Sequence, residues 1–177
     1  MCPVKIVSVK TKSALIATIN DLLGAVGDKF DGDEDGDAER DFMAQRCPPQ
    51  LLDNVRSLPT LSMHLLAGIA DGPVSVVGLA ARTAQLKGTV SKHVQRLVEA
   101  GLVVREPIPG NRKEVQLSLT ADGDAIAEAH RELHDEMRRG LEAFLQRYAN
   151  ADLQVIATVL SDVLAARKVG VRIVPGE

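Results

Sequence analysis

The sequence predicts a mainly α-helical fold with one small β-hairpin, and three observations support this prediction. Apolar residues recur at the i, i+3, i+4 spacing of amphipathic helices through most of the chain. Two short apolar runs, residues 102–105 and 115–119, flank a segment with Pro and Gly, and the second run alternates as a half-buried strand does. The 177 residues are 45% hydrophobic and 25% charged, which supplies enough apolar material for one hydrophobic core.

The first element is a helix at residues 13–29, where the apolar residues share one face and Ser13 is the expected N-cap. An acidic loop follows, because residues 28–41 hold eight acidic side chains against two basic ones and cannot bury apolar surface. A short turn at residues 39–45 and a short helix at residues 50–56 complete this region.

The acidic segment from Asp31 to Gly36 matches the first half of a calcium-binding EF-hand loop. Phe42, however, stands at the twelfth position, where such a loop needs a bidentate Glu. The ordinary interpretation is a solvated acidic loop, and weak binding of a divalent cation is the alternative.

Three further helices are predicted before the hairpin. The first starts at Leu58-Pro-Thr and stops at the Gly-Pro pair of residues 72–73, which cannot continue a helix. The second spans residues 76–82. The third spans residues 87–100 and ends at Gly101, a usual residue just after a helix C-terminus.

Two long helices are predicted after the hairpin. One follows the N-cap Thr120 and extends to about Tyr148, and the other covers about residues 150–168. Their apolar stripes, and that of the N-terminal helix, exceed what the short central module can cover, so we expect them to pair with a second copy of the chain. The alternative is an intramolecular bundle of these three helices. The residues expected at the dimer interface are Leu15, Ile19, Leu22, Leu141, Leu145, Val159, Leu160 and Leu164.

The order of three helices, a strand, a basic turn and a strand is that of a winged helix-turn-helix, in which the last helix of the trio enters the DNA major groove. Binding to a polyanion depends on where charge lies rather than on its total. Residues 74–120 carry seven basic and three acidic side chains, about +4, although the whole chain has a net charge of −3. The sequence therefore predicts a module that binds double-stranded DNA, flanked by dimerisation helices.

The helix at residues 87–100 separates a packing face from a polar face. At about 100° per residue, Val90, Val94 and Leu97 share the side that is expected to pack. On the other side, Gly88 permits close approach, the hydroxyl and amide groups can reach base edges, and the cations can neutralise phosphates. An ordinary solvated helix face is the alternative. The residues expected to contact DNA are Lys87, Gly88, Thr89, Ser91, Lys92, Gln95 and Arg96.

The hairpin tip supplies a second cationic element. Gly110 and Asn111 suit a tight turn, and Arg112 and Lys113 follow directly. Asn111, Arg112 and Lys113 are therefore expected to contact DNA as well. Two separate cationic elements can bind a groove and its flanking backbone at the same time. Each neutralised phosphate adds about 0.9 to the slope of log K against log salt.

These segments resemble the MarR (multiple antibiotic resistance regulator) family of bacterial transcriptional regulators. The resemblance covers about residues 58–129 and is carried by LPTLSMHLLAGIADGPVSVVGLA, by KGTVSKHVQRLVEAGLVVRE and by NRKEVQLSLTADG. It implies a homodimer joined through its terminal helices, in which each lobe places a recognition helix in the major groove and a wing in the minor groove. It also implies three regions: an N-terminal dimerisation helix with the acidic loop at 1–57, the winged helix-turn-helix at 58–120 and C-terminal dimerisation helices at 121–177.

Position by position, the resemblance implies that the residues at the groove are Lys87, Thr89, Ser91, Lys92 and Gln95. It implies that residues 111–113 lie at the wing tip. Two positions depart from the family pattern. The usual wing signature Asp-x-Arg is replaced by Asn111-Arg112-Lys113, so the Asp that would brace an Arg is absent. Leu86 stands where a Ser or Thr is expected to cap the recognition helix.

Members of this family commonly release DNA when a small anionic or aromatic ligand binds, or when a cysteine oxidises. The resemblance therefore implies a small-molecule effector. The composition, with no Trp, one Tyr and three Phe, offers little for an aromatic pocket. Cys2 and Cys47 have no evident neighbourhood that would lower the pKa of a thiol, so no thiol sensor is predicted.

Candidate metal ligands are His130 and His134, which stand one helical turn apart so that both imidazoles can reach one ion. Some zinc-sensing relatives in the family use a His pair in this region. A hydrogen-bonded core histidine is the alternative for His130, which lies on the apolar stripe. No third ligand is evident, since His64 and the acidic loop are distant in the sequence.

The sequence contains no catalytic constellation, phosphate-binding Gly-rich loop or metal-hydrolase helix, so we do not expect an enzyme. No run is apolar enough to cross a bilayer, and the start MCPVKIVSVK lacks the apolar core of a signal peptide, so the expected compartment is the cytoplasm. A winged helix that binds protein partners is the second class of function. DNA binding distinguishes the two classes, because a regulator binds its operator more tightly than random duplex by orders of magnitude.

Overall fold

The structure, a computed structural model, describes residues 11–31, 38–108, 111–169 and 172–174. The chain divides into two compact units, residues 1–38 and 39–177. Within the described residues, eight α-helices and two small antiparallel sheets are present. The prediction of a mainly α-helical fold with a β-hairpin is therefore confirmed. No helix among these residues is long and apolar enough to span a lipid bilayer.

The first unit contains helix α1, Lys12–Asp31, close to the predicted span. Its N-terminus is capped two residues earlier than predicted, since the backbone N–H of Ala14 donates to Thr11 Oγ1 at 3.3 Å. The apolar side chains along one face of α1 are about half exposed, for example Ile19 at 52%. Residues 32–37, which contain most of the acidic segment, lie outside the described residues, so its comparison with an EF-hand loop stays a prediction.

The second unit opens with short helical segments that close one side of its core. These are α2 (Ala38–Ala44), a 3₁₀ turn (Pro49–Leu51) and α3 (Leu52–Ser57). Met43 and Val55 are almost completely buried, at 1% and 0% exposure. Burying these two side chains fixes the segments to the core, because each removes a full apolar side chain from water.

The helical trio predicted in the centre of the chain is present. It consists of α4 (Thr60–Ala70), α5 (Val76–Arg82) and α6 (Lys87–Glu99). The buried faces of the three helices meet in one apolar core. The core side chains from this trio that are at most 2% exposed are Leu65, Leu66, Ile69, Leu79, Val90, Val94 and Leu97.

The wing is an antiparallel hairpin of β1 (Val103–Ile108) and β2 (Asn111–Leu119). Both strands are longer than the apolar runs predicted, because pairing continues into the basic segment beyond an irregularity at Pro107. The wing is also tied to the trio at its base. Val74, in the turn before α5, exchanges two backbone hydrogen bonds with Leu117, at 3.2 and 2.8 Å.

Helix α7 (Ala121–Leu145) starts at a joint formed by Thr120. Its hydroxyl accepts from the N–H of Gly123 at 3.1 Å and donates to the carbonyl of Gly101 at 2.8 Å. Its backbone N–H donates to the carbonyl of Leu102 at 3.1 Å. Thr120 is thus the N-cap that the sequence predicts, and it also holds the end of α6 and the start of β1 against α7.

Beyond Leu133 most apolar side chains of the described residues are exposed. No residue is fully buried in α7 beyond Leu133 or in helix α8 (Asn150–Ala165). The predicted end of the last helix at about residue 168 is wrong, because a second hairpin of β3 (Arg167–Val169) and β4 (Arg172–Val174) takes its place. Strands of three residues are too short to show the alternation by which strands are recognised in a sequence.

Gly123 provides a test of the joint at Thr120. A Cβ at Gly123 would overlap the carbonyl oxygen of Leu102, whereas a Cβ at Gly140, further along α7, meets no atom within 4 Å. Gly123→Ala is therefore expected to lower the free energy of unfolding by about 3 kcal/mol, the upper end of the range for overpacking. Gly140→Ala is expected to raise it by about 0.5–1 kcal/mol, since Ala favours a helix over Gly. Urea denaturation of both variants is the measurement, and equal effects would contradict the described packing.

Candidate nucleic-acid interface and metal site

Helix α6 presents one buried and one exposed face. Val90, Val94 and Leu97 are completely buried, at 0% exposure each. The residues on the opposite side that are exposed are Lys87, Gly88, Ser91, Lys92, Gln95 and Arg96, with Thr89 half-buried beside them. The structure therefore brings the sequence-predicted residues of this helix together on one solvent-facing surface, which we call the α6 face.

The α6 face carries three cations, and the carboxylate of Glu99 lies at its C-terminal end. Gln95 Nε2 donates to Glu99 Oε1 at 2.8 Å, which holds the amide along the helix. The amide oxygen and the second N–H of Gln95 are left for other partners. A glutamine in this arrangement still has the donor and the acceptor that pair with adenine in the major groove.

The N-terminus of α6 has no side-chain cap. Leu86 occupies the N-cap position with an extended backbone, and its side chain accepts no cap hydrogen bond. By contrast, Ser75 Oγ accepts from the N–H of Gly78 at the start of α5, and Thr120 caps α7. The sequence departure noted at Leu86 is thus present in the structure, although α6 itself begins at Lys87 as predicted.

His93 lies on α6 between its two faces and was not among the residues that the sequence singled out. Its Nδ1 lies 2.8 Å from the hydroxyl of Ser62, a completely buried residue of α4. Burial lowers the pKa of His93, and the neighbouring cations Arg96 and Lys92 lower it further. A neutral ring that shares a hydrogen bond with a buried hydroxyl locks α6 against α4. A lone His within a polar helix gives no signal of such a partner in the sequence.

The wing lies next to α6 in the chain and carries the second group of predicted contacts. The backbone of Asn111, Arg112 and Lys113 belongs to β2. Their side chains lie outside what the structure describes, as do residues 109–110 at the tip. At the wing base, Arg105 is exposed, and Ser118 Oγ lies 3.5 Å from the carboxylate of Glu106.

The structure places His64 beside His130 and His134, the pair that the sequence had singled out. His64 on α4 lies with its ring centroid 5.0 Å from that of His130 and 5.7 Å from that of His134, both on α7. One nitrogen of each ring lies within 4.8 Å of the others. We call these three residues the histidine cluster. The sequence offered His64 only as a distant candidate, because the packing of α4 on α7 is what makes it a neighbour of the other two histidines.

The spacing of His130 and His134 is close to that of two ligands on one tetrahedral metal ion. The Nε2 atoms of His130 and His134 are 3.2 Å apart. Two nitrogens bound to one tetrahedral zinc at about 2.0–2.1 Å are separated by roughly 3.3–3.4 Å. Burial lowers the pKa of His130 to about 4, and the other two histidines contribute to the shift. His130 is therefore neutral at neutral pH, which is the state that binds a metal.

Two features limit how complete this site is. Among the described residues, the cluster contains no carboxylate or thiol, so three imidazole ligands would leave one tetrahedral position open. His130 Nδ1 is buried and has no hydrogen-bond partner in the described part of the chain, although metal-bound histidines usually donate through their second nitrogen. The three imidazole nitrogens thus suit a metal ion, but the hydrogen bond that would orient the ring of His130 through Nδ1 is missing among the described residues.

Cys47 has the surroundings of a structural thiol. Its side chain is buried, and its sulfur lies 3.9 Å from the carbonyl oxygen of Ala125. Burial raises the pKa of Cys47, so the reactive thiolate is disfavoured. The environment of Cys47 therefore does not favour thiol sensing, while Cys2 lies outside the described residues.

Comparison with known proteins supports the mainly α-helical winged-helix fold. The model of the MarR family matches residues 57–114. The HTH-type transcriptional regulator YhjH of Bacillus subtilis is 26% identical over 108 residues, 60% of this chain and 62% of YhjH. The HTH-type regulator YvnA of the same organism is 30% identical over 78 residues, 44% of this chain and 50% of YvnA. The matched segments therefore span less than two thirds of either relative.

Solved structures resemble more of the chain. The zinc-responsive MarR family member ZitR of Lactococcus lactis matches with a TM-score of 0.63 over 83% of this chain and 94% of ZitR, at 18% identity. At that identity the likeness establishes the fold alone. The mainly α-helical winged-helix architecture inferred from the sequence is thus shared with this known structure.

Proposed function

We propose that the chain is a transcriptional regulator of the MarR family, whose model matches residues 57–114, and that it binds a specific double-stranded DNA operator as a homodimer. The relatives with which it shares this module are named transcriptional regulators, not enzymes. The observation that carries the proposal is the exposed α6 face, which lies opposite a completely buried apolar face on the same helix. The simplest action is repression, because a dimer on its operator blocks access to that DNA.

The α6 face has the groups that a major groove requires. Lys87, Lys92 and Arg96 neutralise phosphates, while Thr89, Ser91 and Gln95 reach base edges. The absence of a Cβ at Gly88 leaves open space, with no atom within 4 Å of the position that a Cβ would take. In this proposal Asn111, Arg112 and Lys113 enter the adjacent minor groove from the wing.

Lys92→Ala tests the role of the α6 face. If Lys92 contacts a phosphate, the variant binds more weakly, and the slope of log K against log salt falls by about 0.9. Arg138→Ala is the control, since Arg138 is an exposed cation of α7 that pairs with Asp135 at 2.7 Å. Anisotropy titrations at several salt concentrations measure both slopes, and a Lys92→Ala slope equal to that of the control would remove Lys92 from the interface.

The proposed dimer uses the apolar faces that each chain leaves exposed. On α8, Val159, Leu160 and Leu164 are 52%, 60% and 88% exposed. On α7, Leu141 is 59% exposed and Leu145 half-buried. On α1, Leu15, Ile19 and Leu22 are about half exposed. Apolar stripes of this extent on helices are usually covered by a partner, and a second copy of the chain offers matching stripes.

Leu164→Glu tests this interface. A carboxylate buried without a partner costs several kcal/mol, so the dimer dissociation constant is expected to rise more than a hundred-fold. Val77→Glu is the matched control, because Val77 is 58% exposed on α5, outside the proposed interface. Sedimentation velocity measures the mass of both variants. A Leu164→Glu chain that remains dimeric at the concentration where wild type is dimeric would contradict the interface.

The second candidate function is response to a metal ion, which the geometry of the histidine cluster favours. Its members link α4 of the DNA-binding trio with α7, which leads to the proposed dimer arm. ZitR, a structural neighbour, is described as zinc-responsive. In this proposal His64, His130 and His134 bind zinc, and the ion supplies a cross-link between the two helices. A small-molecule effector that instead occupies the open coordination position is compatible with the same site.

Zinc binding is testable without DNA. The full chain is expected to bind one zinc ion in competition with a chromophoric chelator, and His134→Ala is expected to weaken binding at least about ten-fold, since one ligand is lost. His93→Ala is the control, because His93 lies on α6 and bonds to Ser62 instead. Equal zinc affinities of wild type and His134→Ala would show that the cluster does not bind the ion.

A further inference from the structure

Leu86, the residue that precedes α6, is an apolar residue with an exposed side chain. Leu86 is 78% exposed, although Leu is normally among the most buried residue types. Its backbone is extended, with φ −67° and ψ 133°, so it lies at the entrance of α6 and outside the helix itself. An apolar side chain is thereby held in solvent at the edge of the α6 face.

The same position also lacks a helix cap. Ser75 and Thr120 cap α5 and α7 with their hydroxyl groups, whereas Leu86 makes no cap hydrogen bond. Leucine is one of the poorest residues at an N-cap, where Ser or Thr satisfies a free backbone N–H. An exposed apolar side chain and a missing helix cap therefore coincide at one residue. Such coincidences mark positions that serve a partner.

We propose that Leu86 contacts the C5-methyl group of a thymine in the operator and so specifies an A·T pair where α6 enters the groove. The thymine methyl is the apolar group that a base pair presents in the major groove. The N-terminal residues of a recognition helix are the ones that contact base edges in this class of module. The inference rests on the proposed function, because it requires α6 to lie in the major groove.

The surroundings of Leu86 fit a DNA duplex better than an apolar protein surface. Lys87 follows directly and Lys92 lies further along the same exposed face, so phosphates on either side of the thymine find cations. The open space at Gly88 lets the duplex approach the backbone closely. A hydrophobic protein partner would instead remove both lysines from water without a counter-charge, which is costly.

The experiment compares thymine with deoxyuridine, which differs from thymine in DNA by the loss of this methyl group. A duplex is first selected from a random pool with the full wild-type chain, and each of its thymines is then replaced singly by deoxyuridine. The wild-type chain is expected to bind about four-fold more weakly when one particular thymine in each half-site is replaced, which corresponds to the burial of one methyl group.

Two variants separate contact from folding. Leu86→Ser supplies the missing cap, so it is expected to melt no lower than wild type, yet to bind the thymine and deoxyuridine duplexes equally at that position. Leu86→Met keeps an apolar side chain of similar volume and is expected to retain the wild-type ratio. Circular dichroism gives the melting temperatures, and fluorescence anisotropy gives the affinities.

The outcomes distinguish this inference from the function on which it rests. A selected duplex that binds tightly, but for which Leu86→Ser shows the wild-type deoxyuridine ratio at every thymine, would overturn the thymine contact alone. A consensus without thymine in the half-site would do the same. A pool from which no sequence is enriched would overturn the proposed function, and the contact with it.

Discussion

Thr120 makes the contact on which the arrangement of the second unit depends. Through one side chain and one backbone N–H it joins the end of α6, the start of β1 and the start of α7, with distances of 2.8, 3.1 and 3.1 Å. The close approach of α7 to the Leu102 carbonyl leaves room for Gly123 and for no larger residue. Helix α6, the wing and the long helix α7 are therefore joined through the contacts of this one residue.

The second unit combines a shared apolar core with apolar helix faces that stay exposed. The buried faces of α4, α5, α6 and the first half of α7 share one core, so the α6 face is held by packing as well as by the His93–Ser62 hydrogen bond. Among the described residues beyond Leu133 in α7 and in α8, none is fully buried against the rest of the unit. A second copy of the chain would then set the distance between two α6 faces, as recognition of two half-sites requires.

Much of this architecture could be predicted from the sequence, because helical periodicity and turn residues act locally. The packing face of α6 and the cap at Thr120 were identified because each depends on residues close together in the chain. The partner of His93 and the place of His64 in the histidine cluster could not be identified, since both depend on how α4 packs against other helices. The terminal hairpin was missed because its strands are three residues long.

The measurement that tests this account most directly is selection from a random pool of DNA duplexes, followed by an anisotropy titration of the enriched sequence against random duplex. The account predicts a pseudo-palindrome with half-sites about one helical turn apart, bound by two chains and preferred by at least about a thousand-fold. It also predicts an affinity that falls steeply with salt. A chain that enriches no sequence and binds every duplex equally weakly would contradict it and would favour a winged helix that recognises protein.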